Sequence, residues 1–226
     1  MTRPQLRDAL AIAAITAQGI FAVSWIVGGL IQSGYSADAQ YISELAGSFA
    51  QHPWIVEAGI AIWGLGFIAL AGAVRLGVAP GRTRTWIVGL LVAMGLAGVC
   101  TAFLQLDCST STSVACRRAS QAGDLSWHHY AHSWLAFAAQ VMPVAIALLV
   151  ARLLWPRGIA WIPIGGAAFG IAVVLGGLVA NSHSPSALPS PAGLVQRLSF
   201  LALSGGVVLL ALVLMAPRPV LPANRA

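Results

Sequence analysis

The chain has 226 residues, 58% of them hydrophobic and only 8% charged, against a soluble norm of about half apolar and about a quarter charged. That balance excludes an ordinary soluble domain. The net charge of +6 comes entirely from arginine, with no lysine, and the arginines are spread along the chain rather than gathered into a basic patch, so no nucleic-acid partner is expected.

A bilayer core about 30 Å thick needs about 20 apolar residues per helix. Six runs have that character: Leu10–Ile31, Trp54–Val78, Trp86–Leu106, His129–Leu154, Ile159–Ala180 and Leu194–Met215. They lack the two-residue alternation of a membrane barrel. The expected fold is therefore all-α, a six-transmembrane-helix bundle in a lipid bilayer, forming one domain over residues 1–226. The first run follows Arg3 and Arg7 as a secretory signal would, but it is longer than a signal's apolar region and lacks a small-residue cleavage site, so it is taken as the first span.

Arg3, Arg7, Arg75, Arg82, Arg84, Arg152, Arg157, Arg218 and Arg225 fall on one side of such a bundle, against Arg117, Arg118 and Arg197 on the other. The positive-inside rule then puts both termini in the cytoplasm. Among the acids, only Asp8 is inner; Asp38, Glu44, Glu57, Asp107 and Asp124 are outer. Trp54 and Trp127 on the outer side, and Trp86, Trp155 and Trp161 on the inner, stand where an amphipathic ring anchors at the membrane interface.

Along the chain, the first outer loop carries Tyr35, Tyr41 and Ile42-Ser43-Glu44-Leu45, whose apolar flanks suggest a segment lying on the bundle. Pro53 suits the first turn of the second helix, and Glu57 would face the positive end of that helix dipole. Gly95 and Gly98, Gly166 and Gly170, and Gly205 and Gly206 mark faces for close helix packing, and Cys100 reads as a small apolar packer. Cys108 and Cys116 share the second outer loop. Their interval is not of the CxxC type that holds zinc, which favours a disulfide; closing so short a loop contributes about 2 to 3 kcal/mol on the chain-entropy model.

Most groups able to do acid, base or metal chemistry converge on the outer ends of the spans. His128, His129 and His132 open the fourth span, and residues three or four apart share a helix face, so His132 can work with either neighbour. Two imidazoles plus a carboxylate are a reasonable zinc set: His129, His132 and Asp107, with His128, His183 and Ser43 as alternative ligands. Zinc there would acidify a water for attack on an ester or amide, with Glu44 as base and Arg197 binding an anionic group, giving catalytic residues Glu44, Asp107 and Arg197 and a lipid or membrane-soluble small-molecule substrate. The same residues without metal would bind or relay protons in a transporter or sensor, with histidine charging as the switch. A purely structural cluster, serving a partner membrane protein, is the third reading. Arg197 either snorkels to headgroups or, facing the bundle, pairs with an outer carboxylate.

On Ile42-Ser43-Glu44-Leu45, a Phe103-to-Asp107 segment followed by cysteines, the histidine opening the fourth span, and Gly193-Leu194-x-x-Arg197, the chain resembles the bacterial and archaeal membrane family called domain of unknown function 998. The resemblance implies six helices in a bacterial plasma (inner) membrane, multi-pass, with polar family positions at Ser43, Glu44, Asp107, His129 and Arg197. Phe103 to Asp107 is one residue longer than the family spacing, Gln196 stands where an acid is common, and His128 and His132 are extra.

Overall fold

The computed structural model describes residues 1–182 and 191–216, with the side chains of 176–182 left aside. Seven helices occupy these residues, with no strand. Helix α1 (Arg3–Ile31) starts in a capping box, the Thr2 hydroxyl accepting from the Gln5 amide while the Gln5 side chain accepts from the Thr2 amide. Helix α2 (Pro53–Gly77) opens on the expected proline, and α3 spans Arg82–Thr101. A short helix, α4 (Val114–Ala122), is capped by the Ser113 hydroxyl and stopped by Gly123, whose φ of 84° is the left-handed conformation glycine adopts freely. Helix α5 (Trp127–Leu154) is capped by Ser126, and α6 (Trp161–Ser182) and α7 (Ala192–Met215) complete the chain.

Five helices, α1, α2, α3, α5 and α7, are long and apolar enough to cross a membrane, and α6 is a shorter apolar helix over Trp161–Leu175 of the described residues. This is a multi-pass membrane protein whose surroundings are a lipid bilayer. Trp54, Trp86, Trp127, Trp155 and Trp161 are all exposed, as interfacial anchors must be.

Helix α2 is the centre of the packing, held between α1 and α3. With hydrocarbon on both sides of the comparison, apolar burial does little to drive helices together in lipid, so close approach has to come from small residues. At the α2–α3 crossing, a Cβ on Gly64 would lie 2.6 Å from the Gly95 carbonyl oxygen and 2.7 Å from the Val99 amide nitrogen, and one on Gly98 would lie 3.0 Å from the Gly64 Cα. Beside it, the Trp63 ring meets Phe67 edge-on at 4.8 Å, with Phe21 and Phe200 at 5.5 and 5.4 Å.

Three expectations are corrected here. The third helix does not reach Leu106; it ends at Thr101, and residues 104–107 are non-helical. Gly166, Gly205 and Gly206 are not at close crossings, because a Cβ on any of them meets nothing within 4 Å, whereas one on Gly170 would stand 3.0 Å from the Val144 side chain of α5, a close approach as expected. Cys100 is exposed rather than packed inside.

Candidate functional site

The ends of α1, α2, α3, α5 and α7 that carry the histidines are covered by two loops, residues 32–52 and 102–126, and this cap holds nearly every polar group singled out above. Its axis is the non-helical strip at residues 104–107. Backbone groups released from a helix near a membrane need partners, and three imidazoles from the first two turns of α5 supply them. His132 Nδ1 lies 2.5 Å from the Leu104 carbonyl, His128 Nδ1 lies 2.7 Å from the Gln105 carbonyl, and the Asp107 amide lies 3.2 Å from His129 Nδ1. A carbonyl only accepts, so His128 and His132 donate from Nδ1; an amide only donates, so His129 accepts at Nδ1. The Ser48 amide and hydroxyl both donate to the Leu106 carbonyl, at 3.0 and 3.1 Å, and the Gln105 amide donates to Glu57 at 2.6 Å. Glu57 is thus held by a side chain across the cap rather than by the helix dipole alone.

Both Asp107 oxygens are occupied by the residue that caps α5. Ser126 donates to them from its backbone amide and from its hydroxyl, each at 2.7 Å, while His128 Nδ1 stands 3.6 Å away. Burial pushes the Asp107 carboxyl up, but the two Ser126 hydrogen bonds and the nearby His128 and His129 outweigh it and hold the group below the usual carboxylate range. A carboxyl depressed by folding contributes stability above its unfolded value of about 3.9 and loses it as pH falls through the lower folded value. Asp107→Asn is therefore expected to cost about 1 kcal/mol at neutral pH, with the gap between variant and parent constant down to about pH 4 and closing below it; melting in detergent across a pH series measures this.

Glu44 sits on a 3-10 turn over Ile42–Ala46 and is 2% exposed. Its two oxygens accept from the Ser111 amide at 3.1 Å and the Ser111 hydroxyl at 2.7 Å. Ser111 lies within the loop closed by the Cys108–Cys116 disulfide, whose Cα atoms are 5.9 Å apart, so the bridge fixes the residue that holds the buried acid. Ser43 beside it is half-buried.

Arg197 is 7% exposed at the start of α7. It does not pair with a carboxylate. One terminal nitrogen donates to the carbonyls of Ala37, Gln40 and Gly193 at 2.6, 3.0 and 2.9 Å, and the other donates to the Tyr35 hydroxyl. The guanidinium also lies 5.5 Å from the ring centres of Trp25 and Tyr35. Burial raises the Tyr35 phenol above its ordinary value despite the pull of Arg197, so it remains a neutral acceptor. The rest of the segment docks onto the same loop: the Leu194 amide donates to the Asp38 carbonyl at 3.1 Å, and Gln196 accepts from the Ile42 amide at 2.6 Å. Gly193 is obligatory here, since a Cβ would run into the backbone of Ala37 and Gln40.

The cap therefore brings Asp107, His128, His129 and His132 around one strip, and places Glu44 and Arg197 on other contacts. His183 lies outside the described residues. Among the described residues, no group of three or more His, Cys, Asp or Glu side chains is placed to hold a metal ion: of the zinc set, Asp107 gives both oxygens to Ser126 and neutral His129, accepting at Nδ1, carries its proton on Nε2, whereas His132, donating from Nδ1 to a carbonyl, is oriented as a metal ligand commonly is. His132 Nε2 is buried without a hydrogen-bond partner among the described residues. Sequence reasoning missed Ser111, Ser126, Gln105 and Gln196 as partners. Only Ser126 carried a signal, as an N-cap residue directly before a helix.

No curated protein and no solved structure matches the chain. The model of the family described as "Protein of unknown function (DUF998)" matches residues 15–213, and with nearly the whole chain so covered the protein belongs to that family.

Proposed function

We propose that the protein is a single six-helix domain of the bacterial plasma membrane, with both termini cytoplasmic and the polar cap outside, and that the cap is a proton-responsive element of a sensor or transporter rather than the centre of a hydrolase. The observation that carries this reading is the Asp107 amide donating to His129 Nδ1. A protonated imidazole is a donor at both nitrogens. Charging His129 therefore sets donor against donor and breaks the bond between the Asp107 amide and α5, while the neighbouring His128 and His132 bonds to carbonyls tolerate either charge state. Histidine is the side chain whose ordinary titration falls between about pH 5 and 8.

Amide hydrogen exchange of residues 102–107 in lipid nanodiscs tests this. Protection is expected to fall on acidification in the parent and to stay constant in His129→Asn, whose amide oxygen keeps the acceptor and cannot charge. Equal pH response in both proteins would remove the proposal.

The buried His132 Nε2, which has no hydrogen-bond partner among the described residues, favours the hydrolase reading, in which His129, His132 and Asp107 bind zinc, Glu44 acts as base and Arg197 binds an anion. That reading requires Asp107 to leave Ser126, Glu44 to leave Ser111, and Arg197 to give up its loop carbonyls. Elemental analysis of dialysed protein with zinc added back, beside His129→Ala/His132→Ala, separates the two: about one zinc per chain lost in the variant supports the enzyme.

A further inference from the structure

Away from the cap, α5, α6 and α7 wall a partly open apolar cavity of about 360 Å³, floored by Phe67 of α2 and Leu91 of α3. Helices α5 and α7 hardly touch each other, and the cavity lies where their side chains do not meet. Gly166, Gly205 and Gly206 line it with open space where a Cβ would be. The volume falls at the small end of ligand pockets, about 300 to 1,000 Å³. A second copy of the chain does not fit, since even two turns of helix, about 10 Å across and about 11 Å long, are larger. A two-chain phospholipid is larger still.

The wall is not uniformly apolar. Gln140 lines the cavity and its amide has no hydrogen-bond partner among the described residues. One turn on, Pro143 also lines it and has no N–H to give the Ala139 carbonyl. At about 1.5 Å per residue these groups lie roughly 20 Å along α5 from Trp127, deep within a core about 30 Å thick. An amide donor and a carbonyl that lacks its usual i+4 N–H, both in hydrocarbon, call for a complementary group, and a charged one is costly there. A hydroxyl serves both, accepting from Gln140 and donating to Ala139.

We propose that this cavity is a binding site for a single-chain lipid alcohol, its hydrocarbon between α5, α6 and α7 and its hydroxyl at Gln140 and the Ala139 carbonyl. The inference stands apart from the proton-responsive reading of the cap. The probe is hexadecanol bearing a diazirine on its chain, photolysed with the full-length protein in phosphatidylcholine nanodiscs, with labelled peptides mapped by mass spectrometry. Labelling is expected in the cavity-lining stretches of α5, α6 and α7, and unlabelled hexadecanol should compete about tenfold better than hexadecane. Gln140→Leu should erase that preference. Gly206→Leu fills open space without meeting backbone and should abolish labelling while leaving the melting temperature unchanged or higher. Labelling spread over the lipid-facing surface and unaffected by Gly206→Leu would overturn the site, equal competition by hexadecane would overturn recognition of the hydroxyl, and crosslinks between two chains through these helices would replace the lipid with a second copy.

Discussion

Replacing Arg197 by alanine is expected to cost about 3 to 5 kcal/mol and to lower the melting temperature in detergent by about 10 °C. The side chain serves the carbonyls of Ala37, Gln40 and Gly193 and the Tyr35 hydroxyl at once. Its loss leaves these acceptors facing a gap beneath the 3-10 turn that carries Glu44. The size of the effect comes from orphaned acceptors, because hydrogen bonds to a charged donor are worth about 1.5 to 3 kcal/mol and unpaired buried groups are costly. Arg197→Lys should retain part of the stability, since an ammonium has donors but not the planar fork that reaches three carbonyls and a phenol together. If Arg197→Ala melts with the parent, the loop is held by its backbone contacts and Gln196 alone.

Gly64→Ala is expected to cost about 2 to 3 kcal/mol, at the upper end of overpacking penalties. A methyl there must push apart backbone, since the Gly95 carbonyl and Val99 amide stand 2.6 and 2.7 Å from the new Cβ, and no rotamer relieves a backbone clash. Gly89→Ala on α3 is the control: nothing lies within 4 Å of its Cβ, and alanine is the better helix former by about 1 kcal/mol. Opposite signs for the two substitutions, read as melting temperatures of purified protein, separate a packing requirement from a general intolerance of bulk.

The helices were legible because hydrophobicity, proline and capping act locally. Pro53 opens α2 as its missing N–H allows, and the apolar runs locate α2, α5 and α7 to within two residues at each end, and α1 at its C-terminal end, though α1 begins seven residues before its apolar run. The end of α3 was not legible, because Ala102-Phe103-Leu104-Gln105-Leu106 reads as more apolar helix; what stops it are imidazoles and Ser48 from elsewhere in the chain that take its backbone groups. The same holds for the site. That Asp107 and the histidines meet was readable because the connection between their helices puts the two helix ends at the same membrane depth. That Asp107 is consumed by Ser126, and Arg197 by carbonyls instead of a carboxylate, depends on loop geometry that residue types do not encode. The glycines misled in a similar way: Gly95 and Gly98 pack tightly, whereas Gly166, Gly205 and Gly206 border empty space, and a glycine's presence in an apolar run does not tell which helix face it lies on.

The Arg197 contacts also set an order of assembly. Tyr35, Ala37 and Gln40 leave the ribosome early, yet their partner follows 160 residues after Ala37, on the last helix. Contacts so distant in sequence form late. Until α7 inserts, the loop bearing Glu44 is held by its contacts to residues 106 and 111, so a chain halted after α6 would leave residues 35–40 unlatched, and completion of the cap would report that α7 is in place.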